Sequence, residues 1–270
     1  MTQSDFVNSN GIRQHYWRTG GDKPQVLLLH GLTDTGACWN PVIEALKADY
    51  DCIAPDARGH GLSDAPAQGY SPEDHAADAA GLIQALGLKR PVVVGHSMGG
   101  MQSTVLAARH PELLRGVVLE DPAWFTGETK SSEARRTQLQ EWAERMRREK
   151  VMTKTALIEM GHKDNPRWSN SELDAWADAK HQVRPNVLSY IDAEAGDWCS
   201  MLKTITCPVM LVTGAVSRGV IITPEIARAA QAINNKVEVA NIPDTGHCIR
   251  RDDFVGFITA LQDFLRRNTN

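Results

Sequence analysis

A chain of 270 residues, 42% hydrophobic and 23% charged, is long enough to bury one large core, alone or with a small subdomain. A net charge of −4, with Arg145-Met146-Arg147-Arg148 as the only basic run, leaves no footprint for nucleic acid or an anionic membrane, and that run reads as the solvated face of a helix. No stretch approaches about 18 apolar residues and Met1-Thr2-Gln3-Ser4-Asp5 carries neither a basic segment nor an apolar one, so a cytoplasmic protein is expected.

In chain order, Phe6-Val7 and His15-Tyr16-Trp17 flank Asn10-Gly11, the signal for an antiparallel hairpin. Val26-Leu27-Leu28-Leu29 is the third strand; a helix over 40–48, a strand over 51–55 and a helix over 72–86 stopped by Gly87 follow. A strand over 91–94 with its helix, then Gly116-Val117-Val118-Leu119, continue the alternation. Much later come Val209-Met210-Leu211-Val212, a strand over 236–240 and a closing helix over 252–266. Alternating strands and helices predict a mostly parallel eight-stranded sheet covered on both faces.

The stretch 123–198 breaks this rhythm. It is too long for a loop and holds no clear strand, whereas Leu139, Trp142, Ala143 and Met146 make one helical stripe. Ser169 with Glu172 suggests a capped helix running into Trp176. These residues are expected to form a helical cap inserted after the sixth strand, between core segments 1–122 and 199–270.

Val92-Val93-Val94-Gly95-His96-Ser97-Met98-Gly99-Gly100 carries the chemistry. A β-branched strand feeds a serine between two glycines, whose missing side chains permit a sharp strand-to-helix turn with the hydroxyl at its tip. The five cysteines, Cys38, Cys52, Cys199, Cys207 and Cys248, lie at wide spacings without a C-x-x-C pair, so free thiols are expected rather than a metal or redox site. Nor do the glycine clusters form a phosphate loop, and no cofactor is expected.

Four motifs together resemble the α/β-hydrolase fold superfamily over nearly the whole chain: His30-Gly31-Leu32, Asp56-Ala57-Arg58-Gly59-His60-Gly61-Leu62-Ser63, Gly95-His96-Ser97-Met98-Gly99 and Gly246-His247. A serine hydroxyl needs a base within hydrogen-bond reach, itself oriented by an acid. His247, in a turn-rich loop after the last strand, stands where the resemblance puts the base. The loop after the seventh strand, where many relatives carry the acid, reads Thr213-Gly214-Ala215-Val216-Ser217-Arg218-Gly219-Val220 and holds no carboxylate. Some similar families, including haloalkane dehalogenases and certain lactonases, place the acid after the sixth strand, which points to Asp121, with Glu120 and Glu225 as alternatives.

The resemblance also implies an oxyanion hole from the backbone N–H groups of Leu32 and Met98. Trp39, Met146, Met152, Trp168, Trp176 and Tyr190 are available to the cap core or a pocket lining, and Trp124 and Phe125, close behind the acid, are the candidate substrate contacts. The expected function is a cofactor-independent serine hydrolase cleaving a small carboxylic ester or lactone. A carbon–carbon bond hydrolase, a cofactor-free dioxygenase and a ligand-sensing module on the same scaffold are the alternatives. Serine at the elbow argues against haloalkane dehalogenases and epoxide hydrolases, whose covalent intermediates need a carboxylate nucleophile.

Overall fold

The computed structural model describes residues 2–124, 132–193 and 196–269. Strands β1 (Gln3–Ser9) and β2 (Ile12–Arg18) form the expected hairpin, and Asn10 and Gly11 take the positive φ values, 46° and 78°, that its two-residue turn requires. Strand and helix then alternate through β3 (Gln25–Leu29), α1 (Asn40–Leu46), β4 (Asp51–Pro55), α2 (Pro72–Ala85), β5 (Val92–His96), α3 (Met98–Arg109) and β6 (Gly116–Glu120). Helices alone occupy the described residues that follow: α4 (Ser132–Val151), α5 (Lys154–Asp164), α6 (Asn170–Gln182), α7 (Ser189–Asp192) and α8 (Trp198–Thr204). The chain closes with β7 (Val209–Thr213), α9 (Pro224–Ile233), β8 (Val237–Asn241), α10 (Ile249–Asp252) and α11 (Phe254–Asn268).

The eight strands lie in the order β1-β2-β4-β3-β5-β6-β7-β8, parallel from β3 to β8. Strands buried on both faces read as unbroken apolar runs, and successive residues divide between two cores. Leu27, Val93, Val117 and Leu211 pack on one face with residues of α2, α3, α8 and α9. Val26, Val94, Val118 and Met210 pack on the other with α1 and α11, through Ile43, Leu46, Phe257 and Phe264.

The helices α4 to α7 form the cap. In α4 the apolar stripe turns inward at Met146, which is buried, while Arg145, Arg147 and Arg148 are exposed. Helix α6 has the predicted N-cap, Ser169 Oγ accepting from the Glu172 N–H at 3.2 Å, but the Glu172 carboxylate turns away to Arg251 instead of completing a capping box. Its neighbours α4 and α5 pack on it, and it rests in turn on α1. Helix α8 packs on α3 and α9 and so belongs to the core. Among the described residues no helix is long and apolar enough to cross a membrane.

Candidate active site

The elbow is built by close backbone approach. A Cβ on Gly95 would stand 2.1 Å from the Gly99 carbonyl oxygen, and one on Gly99 would stand 2.1 Å from that of Leu29, so neither position has room for a side chain. Ser97 between them has φ 53° and ψ −111°, a conformation L-residues avoid, and it is pinned by its N–H to Glu120 O and by its own carbonyl to the Ala123 N–H, both at 3.0 Å. His96 faces Glu120 in the β5–β6 register, so Ser97 and Asp121 leave adjacent strands at the same level. Asp121 also has positive φ, 39°, and its N–H is held by Val212 O.

Asp121 is fully buried and aimed at the β8–α10 loop. His247 Nδ1 lies 2.6 Å from its Oδ2, while the Ile221 and Ile222 N–H groups donate to the same carboxylate at 2.9–3.0 Å. The loop after β7, which lacks an acid, thus supplies backbone donors that fix the acid of β6. The histidine loop is braced as well: Gly246 N–H donates to Asp252 Oδ2 at 2.6 Å, Ala215 N–H to Thr245 O at 2.9 Å, and the His96 ring lies 4.8 Å from that of His247. His96 Nε2 lies 3.0 Å from the His247 carbonyl, a brace that nothing in the sequence signals beyond its place in the elbow motif.

The other two candidate acids are engaged elsewhere. Glu120 is buried against Arg250, accepting from its N–H at 2.8 Å and from Nη1 at 2.9 Å. Glu225 is exposed on α9 and pairs with Arg228.

The His30-Gly31-Leu32 loop closes on the serine from the opposite side. A Cβ on Gly31 would lie 3.6 Å from Ser97 Cβ and 2.9 Å from His96 Nδ1, so the glycine lets this loop lie directly over the elbow. His30 accepts the Ala57 N–H at Nε2 and therefore donates from Nδ1 to Gly31 O; burial pushes its pKa down and keeps the ring neutral. His60, whose Nε2 meets the Leu32 carbonyl, is pushed down to about 4 by burial. The Met98 N–H is the first of α3 and lies outside the helix ladder. Asp56, heading the second motif, accepts from the Gly36 and Leu62 N–H groups and from His15, which fixes the floor under this loop.

Among the described residues, Tyr190 packs with Met98, Ala57 and Leu32 beside the site, and Met146 packs in the cluster that Leu32 adjoins. Trp124 does not reach outward. It is 1% exposed, its ring stacks on Trp198 at 4.7 Å and 3°, and its Nε1 donates to Thr104 Oγ1, so it packs the core where a substrate contact was expected. Phe125 lies outside the described residues. Trp168 and Trp176 fill the cap's own core, and Trp39 lies under the Arg250 guanidinium. All five cysteines are free, and burial pushes the Cys248 thiol up to about 11. Among the described residues no group of three or more His, Cys, Asp and Glu side chains is arranged to hold a metal ion.

The chain is similar to several known proteins. Over 96% of its length it is 30% identical to the N-formylmaleamate deformylase of Pseudomonas putida, covering 95% of that protein. A shorter match, 43% identical over 104 residues, spans 38% of the chain and 37% of the 2-(acetamidomethylene)succinate hydrolase of Mesorhizobium japonicum. The crystal structure of an E-2-(acetamidomethylene)succinate hydrolase superposes with a TM-score of 0.83 over 98% of the chain and all of that protein at 24% identity. An enol-lactonase from Burkholderia xenovorans superposes with 0.77 over 97% of the chain and all of that protein, also at 24% identity. A model of the alpha/beta hydrolase fold matches residues 24–250, and the chain belongs to that family of hydrolases.

Proposed function

We propose that the protein hydrolyses a small carboxylic ester or lactone through an acyl-enzyme on Ser97. The observation that carries this reading is the 2.6 Å contact of His247 Nδ1 with a buried Asp121, assembled at the sheet edge where the strained Ser97 elbow ends. Ser97 Oγ attacks the carbonyl carbon and its proton passes to His247 Nε2, while Asp121 holds the ring by Nδ1 and favours the imidazolium that forms. The oxyanion is received by the Leu32 and Met98 N–H groups, each such donor being worth roughly 3 kcal/mol of barrier. His247 then protonates the leaving oxygen, and water, deprotonated by the same histidine, releases the acid. The chemistry asks for no cofactor.

A second reading, cleavage of an N-acyl bond, is favoured by the full-length likeness to a protein named as a deformylase of N-formylmaleamate. The same triad serves it, His247 protonating a nitrogen in place of an oxygen. Carbon–carbon bond hydrolysis would also use this machinery.

The test is hydrolysis of a panel of p-nitrophenyl esters, lactones and N-formyl amides by the wild type and by Ser97→Ala, with dissolved oxygen followed in parallel. Ester or lactone turnover that Ser97→Ala abolishes supports the first reading, and turnover confined to N-formyl amides supports the second. Oxygen consumption that survives the substitution would sink both.

A further inference from the structure

The cap reaches past the site into the loops that hold it. Lys180 of α6, 2% exposed, donates from Nζ to the Thr33 carbonyl at 3.0 Å and to Thr33 Oγ1 at 2.7 Å, with its ammonium 4.8 Å from the centre of the Trp176 ring. Two turns earlier on the same helix, Glu172 accepts from Arg251 Nε at 3.0 Å. Arg251 passes on to Asp34 at 3.1 Å, and Arg250 joins Asp34 at 3.4 Å to Glu120 at 2.9 Å. Glu120 in turn gives its carbonyl to the Ser97 N–H.

The cluster holds three positive groups, Lys180, Arg250 and Arg251, and three negative ones, Asp34, Glu120 and Glu172, all buried. Stability is a poor account of it. Buried ion pairs return little over well-packed apolar side chains, and here Arg250 Nε and Glu172 Oε1 have no hydrogen-bond partner. What such a cluster supplies is a fixed register among the elements it joins. It joins the cap, helix α10 directly after the histidine loop, the end of β6 and the segment Leu32-Thr33-Asp34. That segment is gripped at each residue: Leu32 O by His60, Thr33 O and Oγ1 by Lys180, the Asp34 carboxylate by Arg250 and Arg251.

We infer that Lys180 is a positioning residue for the oxyanion hole: anchored in the cap, it sets the Leu32-Thr33 backbone so that the Leu32 N–H points to the oxygen of a tetrahedral adduct on Ser97. The cap thereby completes the machinery in addition to covering it. The inference rests on acyl transfer through Ser97.

Lys180→Met keeps an unbranched side chain and removes the donors; Thr33→Val removes one acceptor and leaves the lysine in place. Three quantities decide: kcat against KM on the best substrate of the panel, the affinity for phenylboronic acid, and Tm. The boronic acid accepts the Ser97 oxygen as a new O–B bond while the hydroxyl proton passes to His247, giving an anionic tetrahedral boronate that an oxyanion hole stabilises. In Lys180→Met, kcat should fall on the order of 10- to 100-fold and boronate affinity with it, while KM stays within about threefold. Thr33→Val should move the same two quantities in the same direction by less, with Tm near wild type, and it carries the test if Lys180→Met does not fold. Variants with lowered Tm but kcat and boronate affinity within about twofold of wild type would overturn the inference, leaving Lys180 a purely structural charge. A wild type that neither turns over the panel nor binds the boronate would instead overturn the Ser97 reading, and this inference with it.

Discussion

Glu120 and Asp121 are neighbours with separate tasks. The positive φ of Asp121 turns its carboxylate to His247, while the extended Glu120 sends its own to the other side, onto Arg250. Sequence could offer both, with Glu225, as acids, because residue type and distance from Ser97 are alike for the first two; only the turn at the strand end separates them. Asp121→Asn should lower kcat about 10⁴-fold, since an amide can hold His247 in the wrong tautomer and cannot favour its imidazolium, and steady-state kinetics with an unchanged circular-dichroism spectrum would check this. Glu120→Ala should act on stability, costing about 3–5 kcal/mol in chemical denaturation because Arg250 is left buried with one partner fewer. The partners Asp34, Lys180, Arg250 and Arg251 were invisible in the sequence, as each reads alone as an ordinary surface charge and meets the others only through long-range folding.

The elements were largely legible because the strands are doubly buried and glycine marks their turns. Gly87, with φ 62°, stops the chain after α2 where expected, and all eight strands lie within a few residues of their apolar runs. The closing helix expected over 252–266 is α11, displaced by two residues. What the apolar pattern did not announce is α10, a short turn ahead of it, and the break at Asp253, which caps the first turn of α11 by accepting the Gly256 N–H at 2.9 Å. The break lets Arg250 and Arg251 face the buried cluster, a demand from the tertiary structure that local periodicity does not record. Asp253→Ala should cost about 1 kcal/mol of stability by denaturant titration. Gly99→Ala belongs to a harsher class: its new methyl group would meet the Leu29 carbonyl at 2.1 Å, so the strand–turn–helix unit cannot close. The variant should be largely insoluble or melt far below the wild type in calorimetry, in contrast to Ser97→Ala, which should fold normally.

Across the whole molecule, burial lowers the pKa of four histidines, His30, His60, His75 and His96, the one at position 60 to about 4. The unfolded chain takes up protons at these positions from about pH 6.5 downward while the native chain resists, so unfolding becomes easier as pH falls. Asp34 and Asp56, held below the usual carboxylate range, lose their contribution only at more acidic pH. Tm should therefore begin to fall between pH 7 and pH 4.5, before most carboxylates titrate, and His60→Gln should flatten part of that slope in a calorimetric series. A different property follows from the Trp124–Trp198 stack. The two indoles sit where the chain leaves the core for the cap and where it comes back, with their planes nearly parallel. Their absorption bands are therefore coupled, and the root of the cap carries its own optical gauge: a near-ultraviolet signal of the pair that vanished before the helical signal of the core would reveal the cap coming loose as a unit.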